Sequence, residues 1–371
     1  MSALHTGTPR GDGFRMPGEH EPQQAVLMAW PHRPDNWREN GLPAQQAFAE
    51  LAAAIDIATP VIMCVSPEHY DHAREMLPDI VDVVAIPSDD SWLRDIGPSY
   101  VVNDEGELRG VDWPFNAWGG VVNGLYENWD QDDALAEQLL DMRGEGRYRA
   151  PLVLEGGAIH VDGEGTCITT AECLLHPGRN PDLDQDQIVE FLGQYLNVSK
   201  VIWLPNGLFN DETDGHVDNI LHFVRPSEVV LTWCDDPEDP VYDICRNALA
   251  VLESETDAAG RSFTVHKLPM PGPLFITPEE AAGVEQSAAM SRQAGERLAA
   301  SYTNFLITND RLIFPLLDDE HDAEVAEKLR GLFPNREVVG IPAREILLGG
   351  GNIHCVTQQV PASAFGRSNR P

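Results

Sequence analysis

Four short strand-like runs, each ending in proline, constrain the fold of this chain more than any other feature. They are VVAIP (83–87), VIWLP (201–205), VHKLP (265–269) and VVGIP (338–342). Aliphatic and β-branched runs that end at a turn former are typical of short buried strands. Their spacing predicts a repeated unit of roughly 60 to 75 residues, with one copy hidden between the first two runs.

The segments around these runs repeat the same elements. Apolar residues at three- and four-residue spacing predict amphipathic helices at 184–197 and 322–333. Alternating residues around turn formers predict four hairpins, at 100–111, 158–170, 222–233 and 305–316. Each unit thus contains a helix and three strands, and about five copies fit the length. The copies must pack as a doubly wound stack or a closed ring to bury both faces of each sheet, and we favour the ring.

The first residues lack this pattern. Residues 1–20 are rich in Gly, Pro and His without periodicity, which predicts a loosely ordered N-terminal arm. Residues 21–371 are predicted to form one catalytic domain. No run of about 18 apolar residues and no signal-like start is visible, so the cytoplasm is the expected compartment.

The charge of the chain narrows the class of partner. Sixty acidic against 25 basic residues give a formal net charge of −35. Such a field repels nucleic acid and anionic lipid, and it attracts a small cationic ligand. A solvated acidic surface suited to a salty cytoplasm also explains the excess, and the two interpretations are compatible.

Most of the unusual polar residues lie in linkers between a proline-ended strand and the next hairpin. The linkers are DDSWLRDIGP (89–98), EGG (155–157), NDETDGHVDN (210–219) and GGGNIHC (349–355). In a ring of units these linkers converge at one end of the common axis, where a site is expected. Asp95 and Glu155 are candidates there, although a salt-bridged turn and a solvated strand end are the ordinary interpretations of the two stretches.

His216 and Asp218 form a second candidate pair. They are two residues apart in GHVDN, a spacing that points both side chains to one face of an extended strand. The pattern alone is weak evidence, because it also occurs in metal sites and in sequences without function. A metal site needs further ligands at suitable spacing, and the other histidines are scattered.

Cys355 is the candidate nucleophile. The six cysteines include no CxxC pair, which argues against a zinc knuckle and a redox motif. Cys355 follows three glycines and a histidine rather than sitting inside an apolar run, so its thiol is expected to face a cavity. A reactive cysteine with histidine and acidic partners from distant parts of the chain is a common catalytic arrangement.

The carboxylates indicate the type of electrophile. Asp95, Glu155 and Asp218 occupy equivalent linkers, and several carboxylates without clear metal ligands suit a planar cation. A guanidinium is such a group, since carboxylates pair with its fork of donors in bidentate fashion. Its carbon is a poor electrophile, so the site must hold it rigidly and neutralise charge as the adduct forms.

Six segments together resemble one known family. In chain order they are MAWPHRPDNW, WLRDIGP, DWPFNAWGG, LEGGAIHVDGEG, NDETDGHVDN and GGGNIHCVTQQVP. From about residue 14 to the C-terminus the chain is similar to the agmatine deiminase family of the guanidine-modifying, or pentein, superfamily. The resemblance implies a five-fold pseudo-symmetric α/β propeller built from ββαβ-type units, in agreement with the repeat, and allows a homo-oligomer.

The resemblance also implies a catalytic mechanism, and a role for the reaction in the synthesis of polyamines from arginine. Cys355 attacks the guanidinium carbon of agmatine, ammonia leaves, and water hydrolyses the amidino-cysteine to N-carbamoylputrescine, the precursor of putrescine. His216 serves as acid and then as base, Asp95 and Asp218 bind the guanidinium, and Glu155 supports His216. Neither a metal nor an organic cofactor is implied.

A tail pocket, which binds the ammonium group of agmatine, is expected at the end of the site farthest from Cys355. Agmatine lacks the α-carboxylate of arginine, so the pocket should offer an acid and aromatic faces. The residues assigned by resemblance to substrate binding are Trp92, Trp118, Glu212, Asp214, Gly350 and Gly351. Arg94 either receives a carboxylate, which keeps arginine open as a substrate, or pairs with an acid of the protein.

Three alternatives remain at this point. The same scaffold could serve an arginine or peptidyl-arginine deiminase. A metal-dependent hydrolase would use His216, Asp218 and Asp95. A non-catalytic sensor of guanidino compounds would bind the substrate and keep its function without Cys355.

Overall fold

A computed structural model describes residues 3–287 and 292–364. The strands in these ranges are β1 Phe14–Arg15, β2 Gln23–Ala29, β3 Val61–Val65, β4 Asp82–Ala85, β5 Ser99–Asn103, β6 Leu108–Asp112, β7 Gly146–Arg149, β8 Ile159–Val161, β9 Thr166–Thr170, β10 Lys200–Leu204, β11 Leu221–Arg225, β12 Glu228–Trp233, β13 Thr264–Pro269, β14 Leu306–Ile307, β15 Arg311–Leu316, β16 Glu337–Pro342 and β17 Thr357–Pro361.

Helices connect these strands. The α-helices are α1 Leu42–Asp56, α2 Tyr70–Met76, α3 Leu93–Ile96, α4 Gly120–Asn123, α5 Asp130–Arg143, α6 Ala171–Leu174, α7 Gln185–Leu196, α8 Val241–Ser254, α9 Pro278–Ala282, α10 Asp322–Leu332 and α11 Arg344–Leu348. Short 3-10 turns cover Glu39–Gly41, Pro67–His69, Gly156–Ala158 and Val217–Asn219. Over the described ranges, every helix is too short or too polar to cross a membrane.

The described strands form five sheets that repeat one pattern. Each sheet contains an antiparallel pair followed by a parallel strand, in the orders β5-β6-β7, β8-β9-β10, β11-β12-β13, β14-β15-β16 and β17-β2-β3. A helix lies between the second and third strand of each sheet: α5, α7, α8, α10 and α1. The predicted α/β architecture of five ββαβ units is therefore confirmed.

The four proline-ended runs are strands, as predicted, and three of them hold the third position of their units, whereas β4 is a fourth strand that pairs with β3. They correspond to β4, β10, β13 and β16. The hidden copy is β7, after which Pro151 follows closely. The four predicted hairpins are also present. The fifth antiparallel pair joins the two ends of the chain, because β17 pairs with β2. This pairing closes the series of units.

The two predicted amphipathic helices illustrate how the sequence forms the layers. Helix α7 begins at a capping box in which Asp184 and Gln187 exchange hydrogen bonds, an arrangement that satisfies free amides at a helix start. Its buried face includes Ile188, Leu192 and Leu196. Helix α10 likewise buries one face on its sheet. Burying each of these leucines contributes roughly 1.5–3 kcal/mol.

The N-terminal arm differs from the sequence prediction. Strand β1 pairs with β5, and Phe14 and Met16 are buried. Glu19 is only 6% exposed. The arm is ordered by these contacts with distant residues rather than by local periodicity, so composition alone did not predict it. Residues 1 and 2 of the arm, and residues 288–291 and 365–371 of the predicted domain, lie outside the described residues.

Candidate active site

Three of the four polar linkers line one cavity of about 360 Å³, part of it open to solvent. Its walls are formed by Trp92, Asp95, Trp118, Leu125, Glu212, Thr213, His216, Asn219, Gly349, Gly350, Gly351 and Cys355. Asp95 lies in α3, and His216 directly precedes the turn Val217–Asn219. The predicted convergence is therefore present for three linkers, whereas Glu155 of the fourth does not line the cavity and meets the site through His216.

Cys355 lies in the wall of this cavity and is almost completely buried. Asn304 Nδ2 donates to its sulfur at 3.1 Å, and Asp218 Oδ2 lies 3.6 Å from the same atom. Burial raises the pKa of the thiol well above its usual range, and the nearby Asp218 and Asp95 carboxylates raise it further. These surroundings therefore favour the protonated thiol.

Glycines allow the chain to approach Cys355 closely. A Cβ at Gly351 would lie 2.5 Å from a ring carbon of Trp92 and 3.2 Å from the sulfur of Cys355. Gly350 has a φ of +110°, which side chains rarely adopt. These two positions, which the resemblance assigned to substrate binding, line the wall of the cavity.

His216 lies between two carboxylates. Its Nδ1 is 3.9 Å from Asp95 Oδ2, and its Nε2 is 3.7 Å from Glu155 Oε2. Burial lowers the pKa of His216, but Asp95, Cys173 and Glu155 raise it, and the balance is well above the usual value. The imidazole is thus held in its protonated form, as an acid requires.

The local structure of GHVDN differs from the prediction. We expected an extended strand that would place His216 and Asp218 on one face, but the segment Val217–Asn219 is a 3-10 turn. Both side chains still reach the site. A Cβ at Gly157 would lie 2.5 Å from His216 Nδ1, 3.0 Å from Asp95 Oδ1 and 3.1 Å from Asp218 Oδ2. These three groups border the same small space, which only a glycine leaves open.

Asp95 is held by two neutral donors. Trp118 Nε1 donates to Oδ2 and the Gly157 amide donates to Oδ1, both at 2.9 Å. Burial raises the pKa of Asp95 to about 6, and the neighbouring carboxylates Asp218 and Glu155 add to the rise. This carboxylate therefore titrates close to neutral pH.

Glu155 is fixed by a residue that the sequence did not indicate. Arg179 is buried, and its Nε donates to Glu155 Oε1 at 2.9 Å. Burial alone would raise the pKa of Glu155, but Arg179 and His216 lower it to about 2. Arg179 follows the second hairpin in HPGRNP, and neither its spacing nor its neighbours point to the site.

The predicted tail pocket is only partly assembled in the structure. Trp92, Trp118 and Glu212 line the cavity. The Glu212 carboxylate pairs with Arg292, which also donates to the carbonyl of Gly349. A substrate ammonium at Glu212 would therefore approach a carboxylate that already has a cationic partner.

Asp214 does not occupy the predicted place. It has a left-handed backbone conformation and binds Arg179 and Asn123, and it is absent from the residues that line the cavity. The assignment of Asp214 to substrate binding is thus not supported. Of the two roles considered for Arg94, pairing with an acid of the protein is the one observed, because Arg94 pairs with Glu19 at 3.2 Å.

Two sets of side chains could hold a metal ion in the described part of the chain. They are Glu19, His160, His222 and His354, and Glu155, Cys173 and His216. The set considered from the sequence, His216 with Asp218 and Asp95, is neither of these.

Comparison with known proteins identifies the family. Residues 15–361 match the family described as Porphyromonas-type peptidyl-arginine deiminase. The chain belongs to this family. It is 60% identical over 361 residues to a protein of Photobacterium profundum assigned as an agmatine deiminase, covering 97% of this chain and 99% of that one.

Solved structures of this family have the same fold. Agmatine deiminase of Enterococcus faecalis is 45% identical with a TM-score of 0.95, and the match covers 98% of this chain and all of that one. A cysteine-to-serine variant of agmatine deiminase from C. jejuni, with substrate bound, is 26% identical with a TM-score of 0.80 and covers 94% and 97% of the two chains. The resemblance to agmatine deiminases is confirmed.

Proposed function

We propose that this protein hydrolyses agmatine to N-carbamoylputrescine and ammonia. The observation that carries the proposal is a cavity lined by the thiol of Cys355, the imidazole of His216 and the carboxylate of Asp95, with a second aspartate, Asp218, 3.6 Å from the thiol sulfur. The chain is similar to agmatine deiminases, and this similarity indicates agmatine as the substrate. The excess of carboxylates in the cavity suits a guanidinium.

The first half of the reaction forms a bond between Cys355 sulfur and the guanidinium carbon. The entering cation lowers the pKa of the thiol, so the proton of Cys355 passes to solvent as the substrate binds and a thiolate remains. Asp95 and Asp218 hold the guanidinium nitrogens while the sulfur attacks. The tetrahedral adduct then breaks its bond to one terminal nitrogen, which takes a proton from His216 and departs as ammonia.

The second half hydrolyses the amidino-cysteine. His216, now neutral, removes a proton from water as the oxygen attacks the same carbon. The carbon–sulfur bond breaks, the sulfur leaves as the thiolate, and the hydroxyl proton passes to solvent as the carbonyl of the ureido product forms. Glu155 keeps the ring of His216 in place for both proton transfers, since its position is fixed by Arg179.

The rest of the proposal concerns the setting of the enzyme. The net charge of −35 favours a small cation and disfavours nucleic acid and anionic membranes as partners. We propose a cytoplasmic enzyme with one catalytic domain that supplies a precursor of putrescine, requires no cofactor, and can form homo-oligomers.

Ammonia release from three substrates tests the activity. Agmatine, arginine and a blocked peptidyl-arginine are compared at low and high salt, with Cys355→Ser as the control. We expect turnover of agmatine alone, and its loss in the variant. Preference for either arginine compound would leave the chemistry in place but move the function to the peptidyl-arginine or arginine deiminases. Turnover of none of them would contradict the proposal.

A further inference from the structure

A chain of buried charged groups leads away from the cavity behind Asp218. His354 Nδ1 lies 2.8 Å from Asp218 Oδ2, and His354 Nε2 lies 2.8 Å from Glu19 Oε1. Glu19 also accepts from Arg94 Nη1 at 3.2 Å. None of these four side chains is more than 6% exposed. Neither His354 nor Glu19 lines the cavity, so neither is placed to touch the substrate.

Both nitrogens of His354 face a carboxylate, so the ring satisfies both only as an imidazolium that donates twice. Burial and Arg94 lower the pKa of His354, but Glu19 and Asp218 raise it above its usual value. Burial likewise opposes the ionisation of Glu19, yet His354 and Arg94 hold its pKa well below the usual range. The chain therefore contains two cations and two anions in alternation, and the buried charges balance.

Asp218 gains a specific geometry from this chain. Its Oδ2 is occupied by His354, while its buried Oδ1 has no hydrogen-bond partner in the described structure. An unpartnered buried carboxylate oxygen is costly unless a ligand supplies a donor. The other oxygen of this carboxylate lies 3.6 Å from the Cys355 sulfur, so a guanidinium bound beside that sulfur would supply the missing donor.

We propose that Glu19 and His354 are positioning residues, in which Glu19 fixes His354 as an imidazolium and His354 orients Asp218 with one oxygen free for the substrate. This inference rests on the proposed function, because it concerns the binding of a guanidinium. It gives the N-terminal arm a part in the reaction through Glu19.

A metal ion is a weaker explanation of the same groups. Ligand atoms of Glu19, His160, His222 and His354 lie within 4.8 Å of one another. A divalent cation there would share the Glu19 carboxylate with the guanidinium of Arg94 and would displace the hydrogen bond between Glu19 and His354. The alternation of charges explains the contacts of His354 and Glu19 without this cost.

Three variants test the chain: Glu19→Gln, His354→Asn and His222→Asn. The last is a matched control, because His222 belongs to the same buried cluster, with Nε2 3.5 Å from Glu19, but makes no contact with Asp218 in the described structure. We expect Glu19→Gln and His354→Asn each to lower kcat/KM for agmatine by about tenfold or more. The double variant should be little worse than the worse single one, because both changes break one chain.

The pH profile of kcat/KM distinguishes a positioning role of Glu19 and His354 from a simple loss of packing. Charged and titratable groups around His354 are Asp218, Glu19, Arg94, His160, His222 and Cys355. Removal of the Glu19 charge lowers the pKa of His354, so the alkaline limb of kcat/KM should move to lower pH in Glu19→Gln and stay in place in His222→Asn. Additive losses with an unmoved limb, or an equal effect of His222→Asn, would overturn the inference.

Alkylation of Cys355 by iodoacetamide keeps this inference separate from the proposed function, because it needs no substrate. Loss of the imidazolium in His354→Asn should raise the pH of half-maximal alkylation. If agmatine is not turned over but this shift occurs, the chain stands and the proposed function fails. If agmatine is turned over and neither the shift nor the change in pH limb occurs, only the chain fails. Thermal unfolding identifies a variant that does not fold. If His354→Asn does not fold, Glu19→Gln is used for the test, because glutamine has the same shape as glutamate.

Discussion

Asp95 and Asp218 border the same space beside Cys355, yet their surroundings have opposite effects on their charge. Asp95 accepts from two neutral donors, the Trp118 indole and the Gly157 amide, and burial raises its pKa to about 6. Burial also opposes the ionisation of Asp218, but the imidazolium of His354 lowers its pKa below the usual value. One carboxylate is thus permanently charged, and the other changes its charge near neutral pH.

The difference shows how a buried group of carboxylates can bind a cation and still be stable when no cation is bound. Three ionised carboxylates around Cys355 would repel one another strongly in a medium of low dielectric constant. Asp218 is compensated from behind by His354, and Glu155 by Arg179. Asp95 lacks such a cationic partner except His216, at 3.9 Å. The substrate completes the compensation of Asp95.

Replacement of the permanently charged carboxylate should have the largest effect. Asp218→Asn removes one partner of the guanidinium and leaves His354 without its second carboxylate. Breaking a buried pair typically costs about 3–5 kcal/mol, so we expect kcat/KM for agmatine to fall at least 100-fold. Steady-state kinetics measure this loss, with the exposed Asp235→Asn as the unaffected control. A fall of less than tenfold would show that Asp218 is not a principal partner of the substrate.

The acid limb of activity should report the titrating carboxylate. Because the pKa of Asp95 is raised to about 6, this group gains a proton as the pH falls through that value. It then loses its attraction for the guanidinium, and kcat/KM should fall about tenfold per pH unit. Initial rates with agmatine between about pH 4.5 and 8 measure the limb. A limb near the usual pKa of an aspartate would mean that the two carboxylates are alike.

A third carboxylate of the cavity tests how far the comparison extends. Glu212 is partly exposed and already paired with Arg292, so its attraction for the substrate ammonium is reduced by screening and by competition. Glu212→Gln should raise KM for agmatine about fivefold and leave kcat nearly unchanged. Asp214→Asn is the matched control, since Asp214 does not line the cavity. Equal changes in KM in Glu212→Gln and Asp214→Asn would show that Asp214 also belongs to the tail pocket.

The sequence predicted the individual strands and helices better than the strand pairing that closes the series of units. The hairpins and the proline-ended strands could be recognised because their alternation and turn formers are local. The antiparallel pair of β2 and β17 joins opposite ends of the chain, and no local pattern encodes such a pairing. The order of the arm around Phe14 and Glu19 has the same non-local cause.

The predicted site residues and the overlooked ones differ in the same way. Cys355, His216, Asp95 and Asp218 stand in unusual polar linkers, so they were recognisable as candidates, and the resemblance assigned their roles. Asn304, Arg179 and Glu19 act through the neighbours that folding brings to them. Asp214 was assigned by resemblance, and its contact with Arg179 depends on folding rather than on a local pattern.

The smallest effect concerns the donor that Trp118 provides to Asp95. Trp118→Phe keeps an aromatic wall but removes the hydrogen bond to Oδ2, which favours the charged form of Asp95. The acid limb should therefore move to higher pH by at most about one unit, with activity at about pH 8 within threefold of the original. Trp92→Phe is the matched control, because the indole of Trp92 donates to Asp90 instead. If both substitutions moved the limb equally, the aromatic wall rather than the donor would set the pKa of Asp95, and its contrast with Asp218 would not depend on hydrogen bonding.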